Sequence, residues 1–175
     1  ILLDEIRRRI ESLPVTKKAE VIRQLPDTVK IIITERSPFI ILMTTDGKSF
    51  VIDREGSILG SNLADLSDIP AVSGVDPKSV KNNKLDINFV ISIDSVIRAF
   101  SRHLSPKKMS FEMKSPNDIS LLINDYTTVY FGSFNDLNKK IRVLEALISD
   151  NTNNSKNIEY IDVRIVSNPA IKFKP

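Results

Sequence analysis

The sequence predicts an α+β fold built from two units, a small helix-plus-sheet unit at residues 1–47 and a larger β-rich unit at residues 48–175. Three observations lead to this prediction. Segments whose apolar side chains alternate with a period of two outnumber the segments with helical spacing. Two long helical stripes fall late in the chain, between predicted strands. The chain also finishes with an alternating segment and a proline, which predicts a C-terminal edge strand.

The first unit opens with an amphipathic helix over residues 2–13, and Pro14 ends it. The apolar positions of this helix are Leu3, Ile6, Ile10 and Leu13. Two strand-like segments follow, Lys17–Gln24 and Thr28–Glu35, and a proline-containing turn lies between them. Because proline presets the backbone for a bend, these segments predict a β-hairpin.

A continuous apolar run, Phe39–Met43, closes the first unit and is typical of a strand buried on both faces. Asp46-Gly47 is a hairpin turn signal, and Ser49–Asp53 is the predicted returning strand. Residues 57–87 are rich in Asn, Asp, Ser, Pro and Gly, so they predict a long irregular connection. Within this connection, Ile69–Val72 is the one apolar contact segment.

The second unit then alternates helices and strands. An apolar stripe predicts a helix at Phe89–Leu104, and a second helix is predicted at Asp136–Ile148 with Asn135 as its N-cap. The predicted strands between these helices are Lys108–Met113, Ile119–Ile123 and Thr128–Phe131. Residues 149–157 are predicted to form a polar loop. The predicted strands and the two helices carry apolar faces with which they can bury one another.

The C-terminal stretch, residues 157–173, is the segment on which the predicted binding site depends. Side chains alternate from Ile158 to Val166, which predicts a strand with one buried face. The expected inward residues are Ile161, Val163 and Ile165. On the opposite face Asp162 and Arg164 stand two residues apart and are expected to pair. Pro169 indicates a sheet edge, which offers a site for another chain; the alternative is a terminal strand that only closes the core.

Composition narrows the function classes. The 175 residues carry a net charge of +3 without a basic stripe interleaved with aromatics, which disfavours nucleic acid as a partner. The absence of cysteine and the single histidine exclude zinc–thiolate sites and histidine-assisted nucleophiles, so neither a metal nor a cofactor is expected. The carboxylate pairs Asp53/Glu55 and Asp65/Asp68 fall at predicted turns. Catalysis by such pairs is the weakest alternative, and we expect no enzyme.

Six segments, in order and spacing, resemble the FtsQ/DivIB family of bacterial cell-division proteins. These segments are Ala19–Ile31, Thr34–Pro38, Phe50–Gly56, Ile69–Gly74, Thr128–Gly132 and Tyr160–Arg164. The resemblance covers nearly the whole chain. Two departures from the family pattern are Phe39-Ile40, where smaller residues are common, and Ile165, where an aromatic residue is common.

The resemblance implies a single-pass protein of the cell membrane whose extracytoplasmic region, at the division septum, holds a polypeptide-transport-associated (POTRA) domain and a β domain. Residues 1–47 then correspond to the C-terminal part of the POTRA domain, and the membrane helix and the first POTRA strand and helix are expected upstream of residue 1. The family has no known enzymatic activity. It binds the small division proteins FtsB/DivIC and FtsL.

Combining the edge strand with the resemblance predicts that partners add a strand along Arg164–Lys172. The candidate contact residues are Arg164, Ile165, Val166, Ser167, Asn168, Ala170, Ile171 and Lys172. An alternative of another class is a POTRA-bearing module that handles polypeptides in a secretion or outer-membrane assembly system. One transmembrane helix directly before the POTRA domain favours the first interpretation, whereas several POTRA copies followed by a membrane barrel favour the second.

Overall fold

The computed structural model describes residues 2–61, 66–104, 106–151 and 157–174. The helices in these ranges are α1 (Leu3–Glu11), α2 (Ile87–His103) and α3 (Leu137–Asp150), with one 3₁₀ turn at Pro77–Ser79. The strands are β1 (Thr16–Gln24), β2 (Thr28–Glu35), β3 (Ile40–Thr44), β4 (Ser49–Ile52), β5 (Ile58–Gly60), β6 (Ala71–Val75), β7 (Val80–Lys81), β8 (Lys84–Leu85), β9 (Met109–Ser115), β10 (Asp118–Ile123), β11 (Thr127–Gly132), β12 (Ile158–Asp162) and β13 (Ala170–Phe173). The predicted α+β class is confirmed.

The N-terminal part is a helix packed on a two-stranded hairpin, which we call the hairpin unit (α1, β1 and β2). β1 and β2 pair only with each other in the described residues, antiparallel and with Ala19 opposite Ile33. Ala19 is buried, and its N–H donates to Glu11 Oε1 at 3.1 Å. The helix covers only part of this sheet, because Ile31 and Ile33 remain about half exposed.

The described strands β3–β6 and β9–β13 form one mixed sheet of nine strands, which we call the large sheet. Its strand order is β13-β12-β11-β10-β9-β6-β3-β4-β5. The pairs β3/β6, β6/β9 and β11/β12 are parallel, and the other neighbours are antiparallel. α2 and α3 contact each other and share one apolar core with the strands, so both helices cover the same face.

Alternation in the sequence explains how the strands meet this core. Phe111 of β9, Leu121 of β10 and Val129 of β11 point to the helices and are fully buried. Phe100 of α2 and Leu144 of α3 pack against them from above and are also fully buried. Burying a side chain of this size contributes about 1.5–3 kcal/mol, so this contact between the sheet and the two helices is a large contribution to stability.

β3 lies inside the large sheet, and this position contradicts the prediction that it closes the first unit. Its residues pair with β4 on one side and β6 on the other, and Ile40 and Leu42 are fully buried. The expectation that β3 is buried on both faces is wrong as well, since Met43 is 41% exposed. Because a boundary at residue 47 would cut the sheet between β3 and β4, we propose instead that the units meet at residues 36–39.

The predicted irregular connection at residues 57–87 contains ordered strands, and β6 is central to the sheet. Its Val72 is fully buried between β3 and β9. Gly74 has φ +78° and faces the main chain of Met113 so closely that a Cβ atom would clash with its carbonyl oxygen. The glycine that suggested a loop is therefore required for the close approach of two strands.

The helices begin differently from the prediction. α2 starts at Ile87, and Asp86 caps it by accepting the N–H of Asn88 at 2.7 Å. α3 starts after Asp136, which adopts a left-handed conformation, so Asn135 is not its N-cap. α3 is anchored instead by Lys140, whose side chain is buried and whose Nζ donates to the carbonyl oxygens of Phe131 and Ser133, both at 2.7 Å.

Candidate functional site

The C-terminal segment is a hairpin rather than the single strand predicted for Ile158–Val166. β12 ends at Asp162, the chain turns, and β13 returns antiparallel to β12. Ile161 and Val163 are fully buried, which confirms their predicted inward position. Ile165 lies in the turn and is 62% exposed, so its predicted core position is wrong. The strand ends here because the N–H of Val163 makes the last described main-chain bond to β11, at Tyr130.

β13 is the terminal strand on its side of the large sheet in the residues that the structure describes. Lys172 pairs with Tyr160 of β12, and the N–H of Lys174 donates to the carbonyl oxygen of Asn157 at 2.7 Å. Main-chain groups of successive strand residues point to opposite edges. The N–H and C=O groups of Ile171 and Phe173 therefore point away from β12, along the outer edge.

The side chains of β13 hold this edge in place. Ile171 and Phe173 are partly buried and pack against the apolar core, whereas Ala170 and Lys172 are exposed on the open face of the sheet. These contacts hold the main chain of β13 in its place beside β12. The edge strand is thus four residues long, with Lys172 as its charged side chain.

The remaining candidate residues lie in the turn rather than along a strand. Ser167 and Asn168 are exposed, Val166 is half-buried, and the N–H of Asn168 is used within the turn by the carbonyl oxygen of Ile165 at 3.0 Å. The sequence thus predicted an edge strand at the end of the chain, but the predicted segment Arg164–Lys172 begins six residues before the observed strand β13. Among the candidates in the β13 part, Ala170, Ile171 and Lys172 lie on the edge strand, and Phe173 is an edge residue that the prediction missed.

Two tyrosines that the prediction did not include lie on the open face beside this edge. The rings of Tyr130 and Tyr160 meet edge to face, with centroids 5.9 Å apart. The guanidinium of Arg164 lies 5.5 Å from the Tyr130 ring, and the ammonium of Lys172 lies 5.9 Å from the Tyr160 ring. Both tyrosines follow the alternation of their strands, which was the available signal for their open-face position.

The charges at this surface are paired. Arg164 Nε lies 3.0 Å from both carboxylate oxygens of Asp162, as the sequence predicted for this pair, and its hydrogen bonds hold the pKa of Asp162 below its ordinary value. Lys172 Nζ lies 3.0 Å from Glu159 Oε1, and this bond raises the pKa of Lys172. These ion pairs hold the side chains of Arg164 and Lys172 in defined positions on the open face.

The other sites raised by the sequence carry no such arrangement. Asp53 and Glu55 are engaged in ion pairs with Arg36, and Asp65 lies outside the described residues. In the described ranges, His, Asp and Glu side chains form no cluster of three that could hold a metal ion. Of the helices in those ranges, none has the length and apolar character needed to cross a membrane.

Two protein-family models match this chain, one in each unit. A family model described as "Cell division protein FtsQ/DivIB, C-terminal" matches residues 41–164, and one described as "POTRA domain, FtsQ-type" matches residues 1–36. These ranges separate within the same short segment as the hairpin unit and the large sheet.

Two curated relatives are similar to this chain, and each is named "Cell division protein FtsQ". The protein from Corynebacterium glutamicum is 30% identical over 126 residues, which cover 72% of this chain and 54% of the relative. The protein from Koribacter versatilis is 26% identical over 143 residues, which cover 76% of this chain and 40% of the relative. The chain thus spans about half the length of the relatives it matches. With the FtsQ/DivIB model matching most of its length, the chain belongs to the FtsQ/DivIB family of cell division proteins.

Proposed function

We propose that this chain is the extracytoplasmic part of a membrane-anchored division scaffold that acts by binding proteins rather than by catalysis. Its partners are FtsB/DivIC-like and FtsL-like proteins, and its role at the septum is to regulate cell-wall synthesis. Family membership supports the division role. The FtsQ-type POTRA match favours this proposal over a secretion or outer-membrane assembly module.

The observation that carries the binding mode is the outer edge of β13. An extended segment of an FtsB/DivIC-like protein adds there as a further strand and bonds to the outward groups of Ile171 and Phe173. Each such hydrogen bond contributes about 0.5–1.5 kcal/mol net. The exposed side chains of Ala170 and Lys172, with the adjacent Tyr160, contact alternate side chains of the segment.

The test removes one outward donor without altering a side chain. In the 175-residue chain, a synthetic segment that ends at residue 175 is ligated upstream of position 171 and carries an ester in place of the amide of Ile171. The loss of one net hydrogen bond weakens binding of the partner's extracytoplasmic region by about 2- to 13-fold. The measurement is titration calorimetry, with circular dichroism to verify the fold.

An ester at Lys172 is the matched control, because that N–H points toward β12. It lowers the melting temperature of the domain more than the ester at Ile171, which on the β12 side only weakens the carbonyl acceptor of Ala170. Unchanged affinity with the ester at Ile171 in a folded domain refutes strand addition at this edge. Prolines at Ser167 and Asn168 do not test the same idea, because both residues lie in the turn.

A further inference from the structure

An ion-pair cluster lies where the hairpin unit meets the large sheet. Arg36, directly after β2, places one guanidinium nitrogen 2.6 Å from Asp53 Oδ2 and 2.9 Å from Glu55 Oε2. Lys17 of β1 lies 2.6 Å from Glu55 Oε1. We call these four side chains, Lys17, Arg36, Asp53 and Glu55, the joint cluster. It connects two strands of the hairpin unit to the turn between β4 and β5.

The carboxylate on the sheet side of this cluster is rigid. Asp53 Oδ1 accepts the main-chain N–H groups of Glu55 and Ser57 at 2.9 and 2.7 Å, so Asp53 shapes its own turn. Its side chain is 6% exposed and that of Arg36 is 18% exposed. A pair this shielded from water is screened less by salt than a surface pair.

The second carboxylate ties both strands of the hairpin unit to the same turn. Hydrogen bonds from Lys17 and then Arg36 lower the pKa of Glu55. The hydrogen bond to Asp53 is the main cause that raises the pKa of Arg36. Both shifts favour the charged form of the group concerned, so Glu55 and Arg36 keep the charges that hold the cluster together.

Few other contacts hold the two units together. In the part of the chain that the structure describes, no helix or strand of the hairpin unit packs extensively on the large sheet. The connecting segment is anchored at both ends, because the N–H of Arg36 donates to Val15 and the N–H of Phe39 donates to Ile52, each at 2.8 Å. Only Ser37 and Pro38 lie between these anchors, so the connection between the two units is short and the joint cluster lies directly beside it.

We propose that the joint cluster fixes the angle between the hairpin unit and the large sheet, and that loss of its charges lets the two units reorient independently. The β4–β5 turn stands at one end of the large sheet and β13 stands at the other. A fixed joint therefore sets the position of the hairpin unit relative to the outer edge of β13. This arrangement keeps two separated surfaces in one constant geometry.

The test uses the 175-residue chain and measures residual dipolar couplings and ¹⁵N relaxation. Couplings from both units of the unmodified protein fit one alignment tensor. In Arg36→Met and Glu55→Met the two units require separate tensors, and the hairpin unit gains a shorter rotational correlation time. Glu20→Met is the matched control, since Glu20 pairs with Lys18 at 2.6 Å wholly within the hairpin unit.

A single shared tensor in Arg36→Met, with the unmodified orientation, overturns the proposal. So do separate tensors in the unmodified protein, because no joint then exists to be broken. Removing Arg36 leaves a buried carboxylate at Asp53, and if that variant fails to fold, Glu55→Met decides. Glu55 contributes its main-chain N–H but not its side chain to the Asp53 turn, so this second variant leaves the turn intact.

Discussion

Lys140 provides a sensitive test of how α3 is held on the large sheet. Replacing it with Met keeps an unbranched side chain of similar length and removes the ammonium group. Two acceptors then lose their donor, the carbonyl oxygens of Phe131 and Ser133. The Phe131 bond is buried and the Ser133 bond is only partly buried, so water replaces the second donor more readily than the first.

The expected loss follows from the buried acceptor. Leaving one buried carbonyl unsatisfied costs about 1–3 kcal/mol, while the acceptor at Ser133 is rescued by solvent. For a domain of this size, each kcal/mol lowers the melting temperature by about 2–4 °C. Lys140→Met therefore lowers it by about 2–12 °C. Lys139→Met, which removes an exposed lysine paired with Asp136, changes the free energy of unfolding by no more than about 0.5 kcal/mol.

The same residue gives a signature in alkali. Burial lowers the pKa of Lys140 below its ordinary value of 10.5. In the window between the folded and unfolded pKa of this group, the unfolded chain therefore binds more protons. Stability from this group consequently rises as pH increases through that window. The free energy of unfolding in urea is measured from pH 7 to 11 for the unmodified protein and for Lys140→Met. The difference between their pH dependences is the contribution of Lys140. Equal stability of Lys140→Met and the unmodified protein at pH 7, or equal loss in Lys139→Met, refutes the assigned role.

Two further predictions concern residues whose positions the structure revised. Ile161→Ala empties a fully buried site and lowers the free energy of unfolding by about 2–5 kcal/mol. Ile165→Ala changes it by no more than about 0.5 kcal/mol. Equal losses in urea unfolding would show that Ile165 is in the core, as a continuous strand to Val166 requires. Residues 37–175 melt cooperatively as an isolated fragment, whereas residues 48–175 lack β3 between β4 and β6 and show no cooperative transition by calorimetry. A sharp transition in the shorter fragment would show that the second unit begins at residue 48, as the sequence predicted.

Local pattern was sufficient where a strand or helix is decided by its own side chains. The segments Lys108–Met113, Ile119–Ile123 and Thr128–Phe131 were predicted as strands, and their residues Phe111, Leu121 and Val129 line the core. The local pattern could not show where β12 ends, because that depends on a neighbour: pairing with β11 finishes at Tyr130, and the isoleucine pattern of the sequence continues past it. The exposed Ile165 is the result.

Non-local pairing explains the other differences. β6 is five residues long and follows a proline, so nothing near it in the sequence indicates two parallel neighbours. The contact of Tyr130 with Tyr160 depends on the parallel register of β11 and β12 across a helix. An edge was predictable from Pro169, but its outward groups on Ile171 and Phe173 follow only from the pairing partner of β13.

The parallel pairing of β6 with β9 also dictates an order of assembly. Ala71 pairs with Ser110, and the whole of α2 lies between them in the chain. Pairings so distant in sequence form slowly, because the loop must close before the contacts stabilise it. Synthesis delivers β3–β6 well before β9, and until then β6 has an unpaired edge that invites incorrect strands. The strand most in need of protection while the molecule forms is therefore one that ends up in the middle of the finished sheet.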